Sequence, residues 1–217
     1  MPNSEESGTS ISRCKTFIQK TIMSKLHSNT TSDYLEWDSM LNLVRKLYKD
    51  KKYRLSLLIG CGCFFDLRIS DLKCLTWSGL LDSDKLVIVE KKTGKRREIK
   101  INKDLQNHID DCYKALKTVD KNELCFINRY GKPISTQMIN RYLKSIKCQY
   151  GLKVEHLSTH SFRKTFGRKV VSSAGAQSEM ALIKLSEIFN HSSTLITRRY
   201  LGLRTEELEE GYNVWEF

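Results

Sequence analysis

The hydrophobic period of this chain changes once, and that change constrains the fold more than any other feature. Over most of the 217 residues apolar side chains recur three and four apart, the spacing that lines one face of a helix. Leu41, Val44, Leu47 and Tyr48 do so across Leu35 to Tyr48, and Tyr53 to Ile59 forms a second, more apolar segment. A third helix should follow Arg68 and carry Leu72 and Leu75. Between Lys85 and Ile101 the period drops to two. β-rich runs over Lys85 to Glu90 and Arg97 to Ile101 flank Lys92-Thr93-Gly94-Lys95, the pattern of a hairpin. Helical spacing resumes over 104–116 and 136–150, then near 160–174, 179–189, 193–201 and 205–213. With only two prolines in the chain, the expected class is α+β and mostly helical, with a small antiparallel hairpin near 85–101 packed beside a helical core.

Residues 1–31 follow a different rule. They are rich in Ser and Thr and open on an acidic, weakly hydrophobic stretch, which predicts a flexible segment. Ile11, Ile18, Ile22 and Leu26 recur there at helical spacing, enough for one short helix. Residues 32–217 read as a single domain.

Charge narrows the partners. Lys and Arg number 37 against 25 acids, a net charge of +12, which favours a polyanion because neutralised phosphates release counterions. No apolar run approaches a membrane span and no signal-peptide core is present, so nucleic acid is preferred to a membrane surface. The seven cysteines are odd in number and lack C-x-x-C spacing, which predicts neither a disulfide framework nor a zinc ribbon. Cys61, Cys63 and Cys74 lie among apolar residues and read as small buried hydrophobes.

Several short stretches carry polar chemistry. His160 and Arg163, three apart, share a helical face. Gly167 extends that face without a side chain, leaving room for a bulky anion, while Phe162, Phe166 and Val170 line the opposite, core-facing stripe. Asn190 ends an apolar helix, where Asn is the usual alternative to Gly in a left-handed turn. His191 follows, Ser192 or Ser193 can cap the next helix, and that helix carries Tyr200. Upstream, Arg68 opens a helix where its guanidinium and free backbone N–H groups could share a phosphate, with Asp71 placed to orient it. Each stretch alone is a solvated basic face, a core tyrosine or a surface pair. His156 and His160 have metal-like spacing but lack the Glu of a zinc-protease helix, and no Gly-rich phosphate loop precedes a helix.

Taken in order, the stretches LRISDLKCLTW, KKTGKRREIKI, THSFRKTFG and FNHSSTLITRRYLG resemble four boxes of the tyrosine recombinase (phage integrase) family, from about Ser32 to the C-terminus. The resemblance implies that Arg68 and Arg163 hold a scissile phosphate and that Tyr200 is the nucleophile of a covalent 3′-phosphotyrosyl intermediate. His160 would assist deprotonation or bond the phosphate, and His191 would position a non-bridging oxygen. Lys92 would protonate the 5′-oxygen, with Lys91 and Lys95 as alternatives. The ester would retain the bond energy, so neither cofactor, metal nor ATP is required. Two departures stand out. Asp66 replaces the family's frequent Gly before Leu-Arg, where it would serve as a helix N-cap, and Asn190 replaces a Gly before the second histidine.

The function implied is site-specific recombination or integration for a mobile element. A non-catalytic DNA-binding regulator that keeps the fold is the first alternative, and a type IB topoisomerase-like relaxase the second. Double-stranded DNA is the implied partner, with a tetramer on DNA, a monomer in free solution, no membrane contact and a cytoplasmic location. The family's N-terminal core-binding domain is expected to be absent. Thr205 would cap a last helix, and Leu208, Tyr212, Trp215 and Phe217 would give the tail an apolar edge docking in cis or in trans.

Overall fold

A computed structural model of the chain describes residues 32–118 and 120–203. The expectations for residues 1–31 and for the tail from Thr205 lie outside the described residues.

The described residues form nine α-helices, one short 3₁₀ turn and one hairpin. They run α1 (Trp37–Lys49), α2 (Tyr53–Phe65), α3 (Ile69–Leu72), α4 (Trp77–Leu81), β1 (Lys85–Val89), β2 (Arg96–Lys100), α5 (Lys103–Leu116), α6 (Thr136–Gln149), α7 (Thr159–Ala174), α8 (Ser178–Phe189) and α9 (Thr194–Leu201). The mostly helical α+β class holds. The 3₁₀ turn, Gly175–Gln177, joins α7 to α8.

Helix α2 is the axis of the large core. Leu57, Leu58, Ile59, Cys61, Cys63 and Phe65 are all buried, because α1, α5 and α7 pack around it. It therefore runs on to Phe65, past the expected end at Ile59. Helix α1 turns Met40, Leu43, Val44 and Leu47 into this core, leaving Leu41 and Tyr48 only half-buried. The helix after Arg68 is a single turn, so Leu75 lies beyond it and a separate α4 follows, capped by Thr76. Cys74 is exposed, unlike buried Cys61 and Cys63, because α3 has ended and its side chain faces outward.

The hairpin pairs Lys85 with Lys100 through to Val89 with Arg96. Leu86 enters the core, whereas Val87 and Val89 face solvent.

Helix α7 is wedged between two packing units. Ser158 caps it in a reciprocal capping box with Ser161. On one side Phe162 presses on α2 so closely that a Cβ on Gly62 would lie 2.6 Å from Phe162 Cδ2. On the other, a Cβ on Gly167 would lie 2.6 Å from Leu201 Cδ2 and 3.0 Å from Phe189 Cζ. Gly167 thus admits α8 and α9, and the expectation that it clears space for an anion is corrected. Phe166 and Val170 are only partly buried and pack on a second cluster of Leu182, Leu185, Phe189 and Leu201.

Candidate active site

Arg68 sits in extended backbone between α2 and α3. Its Nη1 donates to Glu90 Oε2 at 2.6 Å and its Nη2 reaches the Phe189 carbonyl at 3.5 Å. Glu90, buried at the end of β1, also accepts from Thr93 Oγ1 at 2.8 Å and from Arg97 Nη1 at 2.9 Å. Burial opposes its charge, but the bonds from Arg97, Thr93 and Arg68 prevail and hold the carboxyl down to about 2.

Arg163, one turn into α7, donates from Nε to Asp66 Oδ1 at 3.0 Å. Arg97 Nη2 lies 3.9 Å from the other oxygen of Asp66. Arg68, Glu90, Arg97, Asp66 and Arg163 therefore form one continuous charge chain. Asp66 is not an N-cap. It closes α2 in the left-handed region, φ 54°, ψ 32°, and the turn carries its carboxylate inward rather than toward a helix N-terminus. Asp71 does not orient Arg68 either. Its Oδ1 accepts from the Lys91 backbone N–H at 3.1 Å and from Ser70 Oγ at 3.3 Å, tying α3 to the hairpin turn.

His191 and Tyr200 come from the α8–α9 unit. Asn190 adopts the expected left-handed conformation, φ 56°, ψ 48°, at the end of α8. Ser193, not Ser192, caps α9 through the Ile196 N–H. The rings of Phe189, His191 and Tyr200 meet edge to face, with centroids 5.3–5.5 Å apart. His191 Nδ1 is 3.0 Å from Thr197 Oγ1, and Arg163 Cζ stands 4.9 Å from the Phe189 ring centroid. Tyr200 Oη donates to the His160 backbone carbonyl at 3.4 Å rather than to an imidazole.

The electrostatics tie these groups together. Burial lowers the His191 pKa, and the charges of Arg163 and Arg68 lower it further. His160 is lowered by burial, then by Arg163 and Lys164. Burial pushes Tyr200 up to about 12, with Arg163 pulling it down and Asp66 raising it. At neutral pH both imidazoles are mostly uncharged and the phenol keeps its proton.

The three hairpin lysines separate. Lys92 is exposed at the tip and bonds nothing among the described residues. Lys91 Nζ lies 2.8 Å from Cys74 Sγ. Lys95 Nζ donates to Asn190 Oδ1 at 3.0 Å, which joins the hairpin to the turn before His191. No group of three or more His, Cys, Asp or Glu among the described residues could hold a metal.

The model of the phage integrase family matches residues 33–207. The chain belongs to the phage integrase family. A probable integrase/recombinase, YoeC of Bacillus subtilis (strain 168), is 34% identical over 173 residues, covering 79% of this chain and 90% of YoeC. Tyrosine recombinase XerC of Pediococcus pentosaceus is 27% identical, and this chain spans only 51% of it. Among solved structures, XerA recombinase superposes with a TM-score of 0.64 at 18% identity, covering 88% of this chain and 66% of XerA. XerH bound to its difH substrate, after cleavage, gives 0.61 at 21%, covering 91% and 57%.

Three features of this candidate site are not announced by the sequence: Glu90, Arg97 and the inward role of Asp66. Glu90 had a usable signal, an acid closing the apolar run Val87-Ile88-Val89 just before five basic residues, Lys91, Lys92, Lys95, Arg96 and Arg97. Arg97 had none, since Lys95, Arg96 and Arg97 look alike until the register selects one.

Proposed function

We propose that this chain is a site-specific DNA recombinase that cuts and rejoins duplex strands through Tyr200. The observation that carries the reading is the meeting of Arg68, Arg163, His191 and Tyr200 around Phe189, with the His160 carbonyl bonded to the tyrosine. Tyr200 Oη would attack phosphorus, forming the P–Oη bond and breaking the P–O5′ bond. The phenolic proton passes toward His160, while a hairpin lysine, Lys92, gives its proton to the departing 5′-oxygen. Arg68 and Arg163 neutralise charge growing on the non-bridging oxygens, and His191 orients one of them. A phenol held near 12 is a poor nucleophile at rest. A phosphate seated on the arginines would therefore have to bring the base into reach before attack. Attack by a new 5′-hydroxyl reverses the sequence, so rejoining draws on the bond energy kept in the ester.

The partner is double-stranded DNA, consistent with the net charge of +12 and with the DNA-bound neighbours, among them a λ integrase dimer on a COC′ core site and the Tn1549 transposon integrase on a transposon end. Assembly as a tetramer on DNA, service to a mobile element and a cytoplasmic setting belong to the same proposal. A nicked suicide duplex tests it. The wild-type chain should become covalently attached to a 3′ DNA end, and Tyr200→Phe should form no adduct. DNA retention without any adduct would favour a regulator, and relaxation of supercoils by monomers a topoisomerase-like relaxase.

A further inference from the structure

Asp66 occupies a costly position. It is a non-glycine residue in the left-handed region, and its side chain is 1% exposed, so both backbone and carboxylate are held where neither is comfortable. Its Oδ2 is buried and accepts no hydrogen bond among the described residues. A buried carboxylate in a strained turn needs a compensating partner, and the partner at 3.0 Å is Arg163 Nε.

The mode of that contact matters more than its existence. Arg68 already gives a terminal nitrogen to Glu90. Arg163 gives Asp66 only its Nε–H, and its two terminal nitrogens make no hydrogen bond among the described residues. A guanidinium gripped at Nε and stacked on Phe189 has its plane fixed, and its free edge is the fork that matches two phosphate oxygens. When all five groups are ionised, the three arginines and two carboxylates leave one net positive charge, the amount a single phosphodiester neutralises.

We infer that Asp66 is a positioning residue for Arg163, holding Nε so that both terminal nitrogens stay open to the scissile phosphate. The inference rests on the reading of Arg163 as a phosphate ligand given above. Asp66 is faced by Arg163 from α7, Arg97 from β2 and Arg68 beside α3, with Tyr200 of α9 within its field and Glu90 reached through Arg97. Burial raises the Asp66 carboxyl to about 7 against the pull of the three arginines, so the grip weakens as the pH falls below neutrality.

The experiment is single-turnover cleavage of the suicide duplex across neutral pH by wild type, Asp66→Asn and Asp66→Gly, with folding followed by thermal unfolding. Asn keeps an acceptor for Nε and tolerates the left-handed turn but, like the protonated acid, carries no charge. Asp66→Asn should therefore cleave a few-fold slower than wild type above neutrality, match it below, and lose the acid limb that Asp66 sets. Gly relaxes the turn but removes the acceptor, and a misplaced guanidinium should slow cleavage by about 100-fold in a folded protein. A folded Asp66→Gly that cleaves at the wild-type rate overturns the inference, as does an Asp66→Asn as slow as Asp66→Gly. Should wild type form no adduct, the recombinase reading fails by itself. The grip on Arg163 is then read from its Nε–H resonance by NMR, which should be protected from exchange in wild type and Asp66→Asn and lost in Asp66→Gly. Equal exchange in all three proteins refutes it.

Discussion

Arg68 and Arg163 are rooted through the buried carboxylates of Glu90 and Asp66, whereas His191 and Tyr200 rest on a satellite core of Leu182, Leu185, Phe189 and Leu201. The first side stands against the large core built on α2 and is fixed by directional charge-assisted bonds. The second is fixed by apolar packing and ring edges, and α8 and α9 leave Met180, Ile183, Ile188, Leu195 and Ile196 exposed. Charge therefore sets the geometry of the arginine side, while a few large side chains set the position of the tyrosine. Phe189 is the joint between them, touching Arg163 with its ring face and His191 and Tyr200 edge-on.

The sharpest way to break the contrast is Phe189→Ala. Removing a buried aromatic costs about 3–5 kcal/mol, a large fraction of what so small a cluster supplies. The expected outcome is early melting of α8–α9, seen as hydrogen exchange in that unit well before exchange in α2. Uniform loss of protection across both units would show that the two cores unfold as one.

A smaller effect is expected at the seam. Gly167→Ala gains about 1 kcal/mol of helix propensity but inserts a methyl group against Leu201 and Phe189, for which overpacking costs about 1–3 kcal/mol. A net fall in denaturation midpoint should appear, together with displaced aromatic resonances of Tyr200. An unchanged midpoint would mean that α9 yields freely.

The smallest effect at neutral pH, and one confined to the arginine side, is the acid response. Glu90 is held from its ordinary 4.5 down to about 2. Its contribution to stability is fully present above 4.5 and is lost as the pH falls through about 2. Asp66 runs the other way: raised from 3.8 to about 7, it favours the folded state more as the pH drops through that window. Denaturation at a series of pH values should show Glu90→Gln flattening the most acidic limb of the stability curve, with α8–α9 little affected.

Local features of this site were legible in the sequence and paired ones were not. The left-handed Asn190, the cap before α9, the hairpin and the helical face shared by His160 and Arg163 follow from chemistry within a few residues, and the order of boxes supplied Tyr200. The partners of Arg68 and Arg163 are 22 and 97 residues distant, and no periodicity announces them. That distance is why local spacing points to Asp71, the nearby acid, rather than to Glu90. Gly167 misleads for a related reason. A missing side chain looks like open space until the neighbouring helix is seen to fill it. The short α3 and separate α4 also depended on tertiary context, since Leu72 and Leu75 satisfy helical spacing whether or not the helix continues.

Helix α7 presses against a glycine on α2 and carries a glycine of its own against α9, and this has a kinematic consequence. It cannot roll or slide without driving Phe162 into α2 on one flank or Leu201 into its own backbone on the other. His160 and Arg163 therefore behave as fixtures on a stationary shaft. Travel of the tyrosine must be taken up by α9, and the first motion available to it is withdrawal of Leu201 from the notch at Gly167.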